Sequence, residues 1–175
     1  VLVNSEMLTL EGIQQFRVTV DTDESKFACI KDIFTTISIA QAIIYCNSVR
    51  RVADLAKAMQ DDGFAVAAIH GDMDKQEREA SYHDFKAGKY RVLISSNLTA
   101  RGIDIQQVST VINFDLTRDV HTYLHRIGRS GRWGRKGVSI SFVTARDEPL
   151  ISDIEKHYST LRTPRPRSNK NRNWI

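Results

Sequence analysis

Cysteine is scarce in this sequence: Cys29 and Cys46 are the only two, and they lie far apart. That excludes a disulfide framework and a cysteine-based zinc module, and it points to a reducing intracellular compartment with both thiols in the core. Long apolar runs are also lacking. The longest, FAVAAI at residues 64–69, falls well short of the roughly 20 residues a membrane helix requires. The opening VLVNSEMLTL has neither the basic start nor the apolar stretch of a secretory signal, and residue 1 is Val rather than Met. The chain is therefore expected to begin within a longer protein. No phosphate loop of the GxxxxGK type followed by Ser or Thr occurs; Gly88-Lys89 is followed by Tyr90 and precedes a strand instead of opening a helix. Nor does an acidic pair follow a strand in the manner that holds Mg²⁺, and Asp147 in ARDEPL reads as a cap. A complete nucleotide-hydrolysing site is not encoded here.

What is present suits one globular domain. The chain has 175 residues, 41% hydrophobic and 26% charged, enough for a single full core and far from a disordered composition. Its formal net charge is +4 and its pI about 9.2, values that suggest nucleic acid. Yet the last fifteen residues hold Arg162, Arg165, Arg167, Lys170 and Arg172 and no acid. Without those five, 20 of the 25 basic residues face 21 acids, and the body is close to neutral. Any nucleic-acid contact must then come from placed residues rather than bulk charge.

Short β-branched runs alternate with amphipathic segments, the pattern of an α/β domain with a mostly parallel sheet. Strands are predicted at 13–20, 41–46, 65–69, 91–96, 110–114 and 137–143; helices at 26–37, 49–60, 75–87, 120–127 and 148–158. AIIYC at 42–46 is apolar on both faces, as a strand covered by helices on both sides must be. Ser48 stands at an N-cap position, Val52, Leu55, Ala56 and Met59 form one buried stripe, and Asp61-Asp62-Gly63 ends that helix. The Pro- and Arg-rich segment 161–175 lacks apolar periodicity and reads as a mobile basic tail.

In open α/β sheets ligands lie beyond the carboxyl ends of the strands. The residues that follow strands here are Asn47-Ser48, His70-Gly71-Asp72, Ser95-Ser96-Asn97 and the stretch from Ala100 to Asp104. Backbone amides, hydroxyls and Arg101 in one row suit a sugar-phosphate strand. Ser48 and Ser96 equally suit caps or turn formers. HRIGRSGRWGRKG at 125–137 has Arg and Gly each at every third position. It follows the stripe Val120, Tyr123, Leu124, Ile127 and leads into the apolar strand VSISFV, so both of its ends are anchored. Gly128 is expected to end the helix in the left-handed conformation. Arg129 and Arg132 then have fixed bases suited to a phosphoryl group, and the whole stretch is expected to crowd onto the same sheet edge. A basic surface loop without a specific anion is the alternative.

IIYCNS at 43–48, HGDM with Arg78, LISSNLTARGID at 93–104, VINFDL at 111–116 and the Arg/Gly stretch together resemble the second RecA-like domain of DEAD-box RNA helicases, over about residues 8–160. In LTLEGIQQF, YCNS and GRKGVSISFV the chain most resembles the branch that holds initiation factor 4A and its exon-junction paralogue. The resemblance implies a RecA-like three-layer domain: a mostly parallel sheet with helices on both faces, preceded by a linker at 1–7. It implies the second motor domain of an ATP-dependent RNA helicase or clamp, inactive alone. In that reading Arg129 and Arg132 contact the γ-phosphate, Asp104 the ribose and Trp133 the adenine region. His125 and Arg126 couple the domains. Asn47, Gly71, Arg78, Ser96 and Arg101 meet the RNA backbone. ATP with Mg²⁺ would be held mainly by a first RecA-like domain, and this chain would hold no metal. The implied partners are single-stranded RNA or a short duplex, that first domain, and a scaffold or regulatory protein. A monomer in the cytoplasm or nucleus, with no membrane role, is expected. The sequence departs from the family at Lys75 for Gln, Ser96 for Thr, Asn97 for Asp and Thr117 for Pro. A module that binds RNA or protein without ATP turnover is the competing reading.

Overall fold

Every residue of the strand Ala42–Tyr45 is buried, with Ile43 and Ile44 fully inaccessible, so this segment is the centre from which the domain is built. The computed structural model describes residues 12–96, 108–130 and 136–157. In chain order these form β1 (Ile13–Thr19), α1 (Asp23–Thr36), β2 (Ala42–Tyr45), α2 (Val49–Asp61), β3 (Val66–Ile69) and α3 (Lys75–Lys86). There follow β4 (Val92–Ser95), β5 (Thr110–Asn113), α4 (Val120–Ile127), β6 (Gly137–Val143), a 3₁₀ turn (Ala145–Asp147) and α5 (Glu148–His157). The predicted linker 1–7, the tail 161–175, and Arg101, Asp104, Arg132 and Trp133 lie outside the described residues.

The sheet has six strands in the order β1-β6-β5-β2-β4-β3, and every pairing is parallel. Strand order reverses between β5 and β2, since the chain leaves β2 toward β4 and β3 but leaves β5 toward β6 and β1. Side chains alternate across the sheet. Ile44, Ile94, Ile112 and Phe142 meet Ile30 and Ile33 of α1 and Val52, Leu55 and Met59 of α2 on one face. Ile43, Tyr45, Leu93 and Val111 face the other way, against Phe85 of α3. Val143 packs there with Tyr123, Leu124 and Ile127 of α4 and Ile151 and Ile154 of α5. The result is the three-layer α/β/α architecture expected. Each of these large side chains contributes on the order of 1.5–3 kcal/mol on leaving water. Cys46 is buried, and Cys29 is half-buried against the same core.

Local chemistry accounts for the boundaries. Ser48 caps α2 by accepting a hydrogen bond from the Arg51 amide at 3.3 Å, and Asp74 and Glu77 form a reciprocal capping box at the start of α3. Gly63 leaves α2 with φ +86°, a conformation open to glycine. Asp147 accepts from both the amide and the hydroxyl of Thr144, which closes the turn before α5. Helix α1 begins at Asp23, three residues ahead of the predicted Lys26, because Thr22 caps it by accepting from the Ser25 amide at 3.1 Å. One expectation fails outright. Gly128 is not left-handed: its φ is −62° and ψ −7°, and its amide donates to Leu124 O at 2.8 Å. Glycine is accommodated there for a different reason, because a Cβ would stand 3.0 Å from the Leu124 carbonyl oxygen.

Candidate functional site

Beyond the carboxyl ends of β2 and β5, at the reversal of strand order, Asp115 gathers charge. It is 8% exposed. Its carboxylate accepts two bonds at 2.6 Å from the Arg51 guanidinium and one at 3.0 Å from the Asn47 amide, and Lys26 lies at 3.4 Å. Arg51 also forks onto Asp23 at 2.7 and 2.9 Å. Two acids thus balance two bases, the condition for burying charge without a large desolvation penalty. The cations of Lys26 and Arg51 lie over the Phe114 ring, 5.1 and 5.5 Å from its centroid. Hydrogen bonding from Arg51 holds the Asp23 carboxyl below its ordinary range. Asp115, Arg51, Lys26 and Asp23 escaped the sequence reading. Their only signal was charge beside buried runs, as in NFDL and TDESK.

A second set of bonds joins this cluster to α4. Arg126 is 2% exposed, under the domain's own surface. Its guanidinium donates to Asp115 O at 2.7 Å, Asn113 Oδ1 at 3.3 Å and Asn47 Oδ1 at 2.8 Å, and it stacks 5.1 Å from the Tyr45 ring centre. Burial pulls its pKa down to about 10. Burial likewise raises the Tyr45 phenol, against the opposing charges of Arg129 and Arg126. Asn47 Nδ2 donates to Leu116 O at 2.9 Å. Asn47 is exposed, but its amide is committed at both ends, leaving one Nδ2 hydrogen for an outside acceptor.

The other sequence-predicted residues divide between two edges of the sheet. Gly71 is exposed in the turn after β3. Arg78 is half-buried in the first turn of α3, its Nε donating to Asp74 O at 3.3 Å. Ser96 is 6% exposed, with its amide on Ile69 O at 3.3 Å. These residues share the carboxyl edge with Asn47. Arg129 does not. Helix α4 runs back against the strands, so Ser130 bridges Val108 just ahead of β5, and the Arg129 carbonyl accepts from the Val108 amide at 2.9 Å. At the far end of the Arg/Gly stretch Gly137 pairs with Ile13, at the start of both strands. The expectation that this stretch shares the carboxyl edge therefore fails for Arg129, which lies ahead of the start of β5, a strand whose four residues alone span roughly 10 Å at about 3.3 Å per residue. His125 is exposed on α4, with its Nε2 2.8 Å from His121 Nε2.

The carboxyl edge also holds an open cleft of about 580 Å³ between the ends of β2, β5 and β6, lined by Lys26, Asn47, Asp115, Arg118, Arg146 and Leu150 among others. Among the described residues no three His, Cys, Asp or Glu side chains converge as metal ligands, and no helix is long and apolar enough to cross a membrane. The site thus offers guanidinium and amide donors, which suit anions.

A wholly parallel α/β/α sheet whose strand order reverses beside a donor-rich edge has the architecture of a RecA-like domain. Residues 25–134 match the helicase conserved C-terminal domain family, and the chain belongs to the DEAD-box helicases as such a domain. Its relatives make the placement more particular. Eukaryotic initiation factor 4A of Cryptosporidium parvum is 54% identical over 160 residues, covering 91% of this chain and 40% of the relative. The solved C-terminal domain of the DEAD-box protein Dbp5 superposes with a TM-score of 0.80 at 36% identity, covering 87% of this chain and 88% of that one. Saccharomyces cerevisiae Dbp5 bound to RNA and ADP BeF3 gives 0.77 at 37%, covering 86% and 41%. The chain spans about 40% of the length of the initiation factor relatives it matches.

Proposed function

We propose that this chain is the second motor domain of an ATP-dependent RNA helicase of the initiation factor 4A branch, coupling nucleotide state to RNA-backbone binding. One observation carries the reading. Arg126 holds Asn47, at the carboxyl edge, to α4, and Arg129 stands one turn further on at the helix end. A shift of α4 driven by phosphate at Arg129 reaches Asn47 through a single buried guanidinium. Arg126 then acts inside the domain, through Asn47, and exposed His125 is the member of the pair able to meet a first domain.

ATP with Mg²⁺ would supply the phosphoryl transfer that drives the cycle. Arg129 fits such a ligand, since a guanidinium matches spread phosphoryl charge. The metal is assigned to the first domain, as the resemblance implies. Arg132 is proposed to join Arg129 at the γ-phosphate, with Asp104 and Trp133 at the nucleoside. Asn47, Gly71, Arg78, Ser96 and Arg101 are proposed to hold the RNA backbone, with little sequence preference because phosphate contacts carry none. That Dbp5 is known with RNA and ADP BeF3 supports both ligands. The proposed partners are single-stranded RNA or a short duplex, a first RecA-like domain, and a scaffold or regulatory protein. The initiation factor relatives support a cytoplasmic site of action.

The test joins this chain to a matching first domain and measures RNA-stimulated ATP hydrolysis. Arg129→Ala is expected to lower turnover about 10³-fold, the range of an arginine finger. Near wild-type turnover in that variant would overturn the assignment. RNA binding with no ATP turnover in the parent protein would favour a binding module instead.

A further inference from the structure

We propose that His121 and His125 form a surface chelate for a divalent transition metal, with Ni²⁺ and Cu²⁺ preferred over Zn²⁺. The two residues lie four apart on α4, a spacing that sets side chains one above the other on one helix face. Both rings are exposed, and their Nε2 atoms converge to 2.8 Å with the ring centres 4.3 Å apart. In that contact one ring donates a proton and the other accepts it. When the donating ring moves its proton from Nε2 to Nδ1 through solvent, both neutral imidazoles offer an Nε2 lone pair to one metal ion. Histidines at this spacing on one helix face are a known way to place two nitrogens on one metal.

The bases of the rings are fixed. Tyr123, Leu124 and Ile127 bury the opposite face of α4, and Asp119 caps its start by accepting from the amides of Thr122 at 2.7 Å and His121 at 3.3 Å. Asp119 also accepts from the Thr122 hydroxyl at 2.6 Å, so its carboxylate is already occupied and water would fill the remaining coordination positions.

The donor set points to the metal: two imidazole nitrogens with water in the remaining positions make a tetragonal nitrogen and oxygen set that suits Cu²⁺ and Ni²⁺, whereas a stable Zn²⁺ site takes three or four protein ligands. His125 is also the ring assigned above to domain coupling, so a bound metal would compete with closure. That consequence rests on the proposed function, whereas metal binding by this chain alone does not, and the two can fail separately.

The test is calorimetric titration of the 175-residue chain with NiCl₂ and with ZnCl₂ in a non-coordinating buffer at neutral pH. One Ni²⁺ site is expected, weakened at least 10-fold by His121→Ala and likewise by His125→Ala, with unchanged melting temperatures to show intact folding. Ni²⁺ is expected to bind more tightly than Zn²⁺, and Cu²⁺ to give an electron paramagnetic spectrum with two equatorial nitrogens. Ni²⁺ binding unaltered by either substitution would overturn the site. Zn²⁺ binding as tightly as Ni²⁺, or a single equatorial nitrogen, would overturn its geometry.

Discussion

Arg126 sits where a guanidinium is indispensable. Three acceptors on three separate segments, Asn47 Oδ1, Asn113 Oδ1 and Asp115 O, converge on its planar fork under the Tyr45 ring. Lysine offers a point charge and cannot span them. Arg126→Ala would leave Asn113 Oδ1 and Asp115 O buried without this donor, and Arg126→Lys would satisfy the three acceptors only in part. We expect Arg126→Ala to destabilise the domain by about 3 kcal/mol in urea unfolding, with Arg126→Lys closer to about 1–2 kcal/mol. Asp115 presents the complementary case. Its removal leaves buried Lys26 facing only Asp23 at 3.5 Å and strips Arg51 of one of its two carboxylates. Asp115→Ala should therefore cost about 3–5 kcal/mol by the same measurement.

Among the elements, α2 and α4 show two uses of glycine, and α2 the use of a cap. Gly63 stands just past α2 at φ +86°, a region that costs an L side chain about 1–2 kcal/mol, and nothing lies within 4 Å of an added Cβ. Gly63→Ala should lower stability by about that amount through backbone strain alone. Gly128 keeps a helical φ, so the obstacle to a side chain there is contact with the Leu124 carbonyl rather than strain. Ser48→Ala removes one cap hydrogen bond and should cost about 1 kcal/mol, read as a fall in melting temperature of a few degrees. Ser48 was legible in the sequence because a cap is set by neighbours three residues away. The conformation of Gly128 was not, since glycine at a helix end serves several backbone geometries and sequence does not choose among them.

For the whole molecule, the ion cluster ties the start of α1, α2 and the end of β5 together, and it depends on ionised carboxylates. Asp23 has its pKa lowered on folding, chiefly by hydrogen bonding to Arg51. The folded state therefore binds fewer protons than the unfolded chain in this range, so the contribution is complete above the ordinary value near 3.8 and is lost as pH falls below it. Melting temperature should decline as pH drops from about 5 to about 3. Asp23→Asn should flatten that decline while lowering stability at neutral pH. An unchanged acid slope in Asp23→Asn would assign the acid sensitivity elsewhere. At the alkaline end, burial pushes the Tyr123 phenol up to about 12. Its neutral form thus supports the fold below pH about 10, and that support fades as pH rises toward 12.

The sequence by itself determined the element order, most boundaries to within one residue, the buried stripes of α2 and α4, and the set of polar residues that follow the strands. These depend on contacts a few positions apart, which periodicity and capping record directly. Only the tertiary structure decided which residues meet. Asp115 reaches Lys26 across 89 positions and Arg51 across 64, and Arg126 reaches Asn47 across 79. Parallel strands require each helix to carry the chain back across the sheet. That return takes Arg129 to the edge opposite Asn47 and leaves Arg126 between them, a separation that no spacing in HRIGRSGRWGRKG could express.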